Sequence, residues 1–175
     1  MRVKSIIFMI VVLSLSNVAF PQSGDQLKGT KEGISYTYAI PPEACPDEGH
    51  EKLINGIFSF AAVDTAIWTK GSADIYFDLK RMRDISKVVV KSFKHSPHYA
   101  LETIELYVEN NGEYKLVEAV PGYEHNDTKT YQTFEIPLDI RCSRLRLRIY
   151  NVTGKYISLS EVEFYDKTSN KIAIQ

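Results

Sequence analysis

A short segment at residues 93–99, with the sequence FKHSPHY, carries the side chains best suited to ligand chemistry. It contains two of the four histidines, His95 and His98, and it begins and ends with the aromatic residues Phe93 and Tyr99. An aromatic ring packs against the C–H face of a sugar, and imidazole nitrogens form hydrogen bonds with hydroxyl groups. The segment therefore predicts a site for a neutral or mildly acidic sugar, although an ordinary exposed loop has the same composition.

Motifs of the common hydrolytic enzymes are absent from the sequence. It contains neither G-x-S-x-G nor H-E-x-x-H. Four glutamates alternate along predicted strands, as solvent-facing acids do, and none marks the paired-carboxylate cleft of a glycosidase. These are Glu102, Glu105, Glu161 and Glu163. The sequence predicts a protein that is not an enzyme.

Apolar and polar side chains alternate with a period of two, which predicts many short antiparallel strands. The predicted strands span residues 34–40, 74–79, 86–93, 101–109, 113–119, 131–138, 143–150 and 157–165. Asn111 and Gly112 lie between two of them and predict a tight hairpin, because both residue types accept positive φ. Helical periodicity is not sustained anywhere, so the fold is predicted to be an all-β sandwich or barrel.

Four segments, taken in order, resemble those of the galactose-binding-like β-sandwich. They are KLINGI at residues 52–57, Trp68, DIYFDL at residues 74–79 and ISLSEVEFY at residues 157–165. This fold is found in the discoidin and coagulation-factor C domains and in many bacterial carbohydrate-binding modules. The resemblance covers residues 33–166 and implies an all-β fold, an antiparallel β-sandwich of the jelly-roll type.

The resemblance also implies a ligand site in the loops at one end of the sandwich. Loops distant in sequence would converge there on the histidine-containing segment. The residues expected to contact a glycan are His50, Glu51, Trp68, His95, His98 and Tyr99. For Trp68 the alternative is a place in the core, because the single Trp of a small sandwich is often a packing residue.

A structural calcium ion is a further implication of the resemblance. In related sugar-binding modules, main-chain oxygens, the Asp of a turn and the Glu of the last strand bind this ion. Carried over to this chain, the ligands would be Lys52, Asn55, Ile57, Thr65, Ser160 and Glu161. Asn55 keeps the oxygen of the Asp but loses its charge, which weakens calcium binding. The alternative is a plain turn that Glu161 caps with hydrogen bonds.

Residues 1–23 are predicted to be a secretory signal peptide. Arg2 and Lys4 precede an apolar run at residues 6–15, which is shorter than the roughly 20 residues needed to span a bilayer. An uncleaved membrane anchor is the alternative. We expect residues 24–32 to form a linker, residues 33–166 the sandwich domain and residues 167–175 a C-terminal tail. The mature protein would be secreted or periplasmic, with no membrane span.

Charge and cysteine content restrict the partners and the compartment. Loss of the signal peptide removes two basic residues and no acid, which takes the formal net charge from −1 to −3. This balance gives no electrostatic basis for binding nucleic acid. Cys45 and Cys142 are the two cysteines, and in an exported chain they predict a disulfide. Two separate buried thiols are the alternative.

These observations favour a secreted, non-catalytic, lectin-like module whose partner is a glycan or polysaccharide. The first alternative is a protein-interaction or adhesion module of the same fold, with a cell-surface protein as its partner. The second is a glycan hydrolase or lyase with an unrecognised site. Fold does not decide among the three, because function depends on the residues of the site.

Overall fold

The computed structural model describes residues 33–94, 96–122 and 130–172. Nearly all regular structure in these residues is antiparallel strand, with one short 3-10 turn at Pro97–Tyr99. The strands are β1 (Ser35–Tyr38), β2 (Ala66–Trp68), β3 (Ser72–Phe93), β4 (Leu101–Asn110), β5 (Glu113–Pro121), β6 (Tyr131–Asn151) and β7 (Ile157–Tyr165).

The strands β3 and β6 are 22 and 21 residues long and pair with each other along most of their length. Register shifts occur between Asp78 and Arg83 and between Ile85 and Lys87, and Lys80 has a φ of 65°. Irregularities of this kind increase bending and twisting of a strand. Each long strand therefore bends in its middle and contributes to two layers of the sandwich.

The first layer contains β1, residues 72–78 of β3, residues 144–150 of β6, and then β4 and β5. The second layer contains residues 131–137 of β6, residues 87–93 of β3, and then β7 and β2. This arrangement confirms the predicted antiparallel β-sandwich.

The hydrophobic core lies between the two layers. The ring centroids of Phe77 in the first layer and Phe164 in the second are 5.0 Å apart, and those of Tyr38 and Trp68 are 5.4 Å apart. Alternate residues of the first layer point into this space, as in Ile75, Phe77 and Leu79. In β7 both faces are buried, because the segment at residues 53–65 packs over the outer side of the second layer.

At two places, the sequence predicted separate strands where the structure has one long strand with a bend. The predicted strands 74–79 and 86–93 are parts of β3, and those at 131–138 and 143–150 are parts of β6. The three-residue strand β2 was not predicted. The predicted hairpin is confirmed, since Asn110 pairs with Glu113 and the two residues between them have positive φ.

The C-terminal residues beyond β7 pack against the sandwich. Lys171 pairs with Tyr165, and the Ile172 amide donates to the Phe164 carbonyl at 2.8 Å. Part of the predicted tail therefore belongs to the packed domain.

The predicted signal peptide and linker lie outside the described residues. In residues 33–94, 96–122 and 130–172, no helix has the length and apolar character needed to cross a membrane.

The predicted Cys45–Cys142 disulfide is wrong, because both thiols are free. Cys45 lies beside Ile67, at the end of the sandwich where β2 leads into β3. Cys142 is buried opposite Arg83, at the bend of the two long strands. A bridge needs Cα atoms within about 7 Å, so cysteines at opposite ends cannot form one. Burial also raises the pKa of the Cys142 thiol to about 11.

Candidate functional site

Loops from both layers meet at the end of the sandwich away from the bends. Because β3 and β6 turn back through the second layer, both ends of each strand lie at this end. Main-chain hydrogen bonds link the loops, including those from Gly71 to Lys155 at 2.8 Å and from Tyr156 to His98 at 3.2 Å. We call residues 69–71, 96–100 and 152–156 the rim.

Asn151, the last residue of β6, connects two loops of the rim through its side chain. Its side chain is 4% exposed, and its amide nitrogen donates to the carbonyl oxygens of His98, at 2.8 Å, and Tyr156. Its Oδ1 accepts from the Thr153 amide and hydroxyl, both at 2.7 Å, and from the Lys155 amide at 3.3 Å. One buried side chain thus fixes two loops of the rim relative to each other.

A close approach of two glycines brings the third loop into place. Gly71 has a φ of +71°, and a Cβ added there would lie 2.4 Å from the main-chain carbon of Gly154. Such a contact is far shorter than van der Waals distance, so a larger residue at position 71 would push these turns apart. The absence of a side chain allows the turn at residues 69–71 to pack directly on residues 152–155.

The rim presents aromatic and imidazole surface to solvent. The rings of Tyr99 and Tyr156 are stacked, with centroids 5.0 Å apart and an interplanar angle of 23°. His98 is exposed beside them, and its amide donates to the Ser96 hydroxyl, which caps the 3-10 turn. Partial burial and the neighbouring Tyr156 raise the pKa of the Tyr99 phenol. The phenol is therefore neutral at physiological pH and can both donate and accept a hydrogen bond.

The other residues predicted for the glycan site lie elsewhere. Trp68 is 0% exposed and its Nε1 donates to the Ile40 carbonyl at 2.8 Å, so the prediction that it contacts a ligand is wrong. His50 packs against the ring of Tyr38, with centroids 5.3 Å apart, in the loop before β2. The neighbouring Glu51 is exposed. His95 lies outside the described residues.

A second aromatic cluster lies where β3 ends and β6 begins, and only its Phe93 belongs to the segment that the sequence predicted for ligand binding. Phe58 stacks on Phe93 with centroids 4.8 Å apart, and Phe60 and Tyr131 pack against this pair. Phe60 is 56% exposed and Tyr131 is 51% exposed. We call Phe58, Phe60, Phe93 and Tyr131 the aromatic cluster. Phe58 and Phe60 belong to a segment of irregular backbone with no periodicity, so the sequence pattern gave no signal for these two rings.

The turn and the last strand predicted to bind calcium do meet. The Gly56 amide lies 3.1 and 3.2 Å from the two carboxylate oxygens of Glu161. The Ser160 hydroxyl lies 3.3 Å from the Ile57 carbonyl oxygen. Asn55 Oδ1 accepts from the Ile57 amide at 2.7 Å, which is the hydrogen bond of an Asx turn.

Several oxygens in this region, those of Asn55, Ile57, Thr65 and Glu161, have partners within the chain, and such a set suits a calcium ion poorly. Lys52 Nζ donates to the Thr65 carbonyl at 3.1 Å, and Lys171 Nζ lies 3.4 Å from Glu161. Burial raises the pKa of Glu161 to about 7, which Lys171 and the Gly56 amide only partly offset. Calcium takes six to eight oxygens, usually with several carboxylates. In the described part of the chain, no three His, Cys, Asp or Glu side chains gather as a metal site.

Removal of the Asn151 side chain should loosen the rim. We expect Asn151→Ala to lower the free energy of unfolding by about 2 kcal/mol, because it removes the hydrogen bonds by which one side chain ties the two loops together. Thr153→Val, which removes only the hydroxyl contacts with Asn151 and His98, should cost about half as much. Urea unfolding measures both losses, and hydrogen exchange should show faster exchange at residues 153 and 155 in Asn151→Ala. Equal stability of the two variants would contradict this role of Asn151.

Comparison with known proteins finds similarity in structure but not in sequence. No protein-family model and no curated protein sequence matches this chain. A family 32 carbohydrate-binding module from Streptococcus pneumoniae EndoD matches with a TM-score of 0.57 and 19% identity, over 77% of this chain and 97% of the module. The family 32 module from Clostridium perfringens NanJ, solved with galactose, matches with a TM-score of 0.53 and 16% identity, over 77% of this chain and 94% of the module.

A similar match extends to part of a larger enzyme. A Ruminococcus gnavus GH29 fucosidase, solved with fucose, gives a TM-score of 0.58 and 13% identity over 78% of this chain. The chain spans about a quarter of that enzyme, since the match covers 26% of the fucosidase. These matches confirm the predicted fold: the chain has the galactose-binding-like β-sandwich that the family 32 carbohydrate-binding modules share.

Proposed function

We propose that the protein is a secreted, non-catalytic module that binds a glycan at the rim. The observation that carries this proposal is the exposed His98 beside the stacked Tyr99 and Tyr156 rings. A sugar needs an aromatic surface for its C–H face and polar groups for its hydroxyls, and this part of the rim supplies both. The structural likeness to a carbohydrate-binding module solved with galactose supports a neutral sugar as the ligand.

The rim is preorganised for binding in this proposal. Asn151 and the contact between Gly71 and Gly154 fix the loops before a ligand arrives, so little conformational entropy is lost on binding. The contact area of one aromatic pair and one imidazole is nevertheless small. We expect a Kd between high micromolar and millimolar, which corresponds to roughly −4 to −6 kcal/mol.

Binding should depend on the exposed imidazole of His98 and the half-buried ring of Tyr99. We expect His98→Ala and Tyr99→Ala each to weaken glycan binding about tenfold, since each removes roughly 1.4 kcal/mol of contact. Neither side chain is part of the core, so the unfolding temperature should change little. Calorimetry against a panel of neutral and acidic glycans measures the effect, and Glu113→Ala, at the far end of the sandwich, is the matched control. Unchanged affinity in both rim variants would exclude this site, and failure of every glycan to bind the wild type would exclude the function.

Protein recognition is the second candidate, and the aromatic cluster favours it. Its two most exposed rings, Phe60 and Tyr131, form with Phe58 an apolar surface at the edge of the sandwich. Interfaces are enriched in such aromatic side chains. If a cell-surface protein is the partner, Phe60→Ser should abolish its binding while His98→Ala leaves it intact. The reverse pattern would support the glycan site at the rim.

A further inference from the structure

The segment at residues 57–65 has no regular strand, yet it is held firmly against β7. The Ser160 hydroxyl lies 3.0 Å from the Ser59 carbonyl oxygen, and the Ser59 amide donates back to this hydroxyl at 3.1 Å. The Thr65 hydroxyl also donates to the Ser59 carbonyl at 3.1 Å. These hydroxyl groups satisfy the Ser59 carbonyl, and the carbonyl oxygens of Ala62 and Thr65 in the same irregular segment need a donor or a cation of their own.

The side chain of Lys52 supplies that positive charge. Its ammonium group donates to the carbonyl oxygen of Ala62 at 2.6 Å and to that of Thr65 at 3.1 Å. An ammonium group is a compact point charge with three donors, so it can bind two carbonyl oxygens as a small cation does. Charge-assisted hydrogen bonds of this kind are about twice as strong as neutral ones.

A second lysine neutralises the acidic part of the same region. Lys171 Nζ lies 2.7 Å from Glu163 and 3.4 Å from Glu161, and Lys91 Nζ lies 3.0 Å from Glu163. The two glutamates therefore already have cationic partners from the chain. A divalent cation bound by both Glu161 and the Thr65 carbonyl would have to displace Lys171 from the first and Lys52 from the second. Either lysine, if it stayed, would repel the ion.

We propose that Lys52 is the built-in structural cation of residues 57–65, and that the domain keeps its full stability without calcium. This reverses the metal-binding role implied by the resemblance at residues 52, 55, 57, 65, 160 and 161. Lys52 stabilises the segment with its own ammonium group, and Thr65 contributes its carbonyl oxygen to that lysine.

Thermal unfolding tests the proposal on the wild type first. The protein is treated with EDTA, and its Tm is measured in buffer, in excess CaCl₂ and in excess MgCl₂. We expect the same Tm in all three. A calcium site with a Kd one hundredth of the calcium concentration would raise Tm by roughly 5–10 °C. A Tm that falls with EDTA and recovers with calcium but not with magnesium would overturn the proposal.

Substitution of the lysine tests its role separately. Lys52→Met keeps an unbranched side chain but loses the charge, and we expect its Tm to fall by roughly 4–8 °C. Lys115→Met is the matched control, because Lys115 is exposed on β5, far from the segment. A Lys52→Met protein as stable as this control would overturn the role of Lys52. If Lys52→Met unfolds altogether, that result supports the role, and the chelation experiment still decides on calcium.

Discussion

Trp68→Ala is expected to lower the free energy of unfolding by about 4 kcal/mol, the largest effect of any single change considered for this protein. The indole ring is wholly buried between the layers, and its truncation leaves a cavity and an unpaired Ile40 carbonyl. Urea unfolding at low temperature measures the loss.

The matched control for this prediction is another large aromatic residue. Phe60→Ala truncates a ring that is 56% exposed, and it should change stability by less than about 1 kcal/mol. A loss in Trp68→Ala no greater than in Phe60→Ala would mean that the indole is not part of the core. Trp68 would then be restored as a candidate ligand contact.

Asp47→Ala should cost about 3 kcal/mol, because one carboxylate satisfies several buried donors. The hydroxyls of Tyr36 and Tyr38 both donate to Asp47 Oδ2, the latter at 2.6 Å. The amides of Glu51 and Lys52 donate to Oδ1 at 3.1 and 3.4 Å. Without the carboxylate, two phenols of β1 lose their acceptor and the loop before β2 loses one of its attachments to the sandwich.

Absorbance of the tyrosines provides an independent check of the Asp47 network. Burial, together with the nearby carboxylate, raises the pKa of the Tyr36 phenol well above its ordinary range, and burial likewise raises that of Tyr38. Both phenols should ionise in alkali only as the protein unfolds, and in Asp47→Ala this should occur at lower pH. Glu48→Ala, which removes an exposed acid from the same loop, is the control. Equal unfolding free energies for the two variants would exclude the network as a source of stability.

The sandwich could be predicted because its strands carry the period-two pattern and its hairpin carries Asn and Gly. The bend of β3 could not be predicted, because the mostly polar run at residues 80–84 interrupts the period-two pattern and makes the two halves look like separate strands. Lys80 adopts positive φ there, although lysine gives no turn signal. Strand β2 is only three residues long, which is too short for a periodic signal.

The candidate site was predictable only in part. Sequence composition identifies a loop, but it does not show which remote segments pack against that loop in the folded protein. His98 and Tyr99 were found from composition, but the stacking partner Tyr156 is remote in the chain. The prediction for Trp68 failed because the ring is buried, and the predicted disulfide failed because the two cysteines lie far apart. Residue type alone reveals neither burial nor distance. The contact between Lys52 and Ala62 gave no sequence signal, since a lysine that binds carbonyl oxygens looks the same as a solvated one.

Because β3 and β6 run through both layers, the rim and the opposite end of the sandwich should differ in how well they tolerate inserted residues. At the rim, the connections at residues 96–100 and 152–156 join strand ends, so a residue inserted there lengthens a loop and leaves the strand pairing in register. At the bends, an insertion among the paired residues 83–85 would shift part of β3 against β6 and move its inward-facing side chains to the outer face. A library aimed at new sugar specificities should therefore vary the length and sequence of the rim loops and keep the bends unchanged.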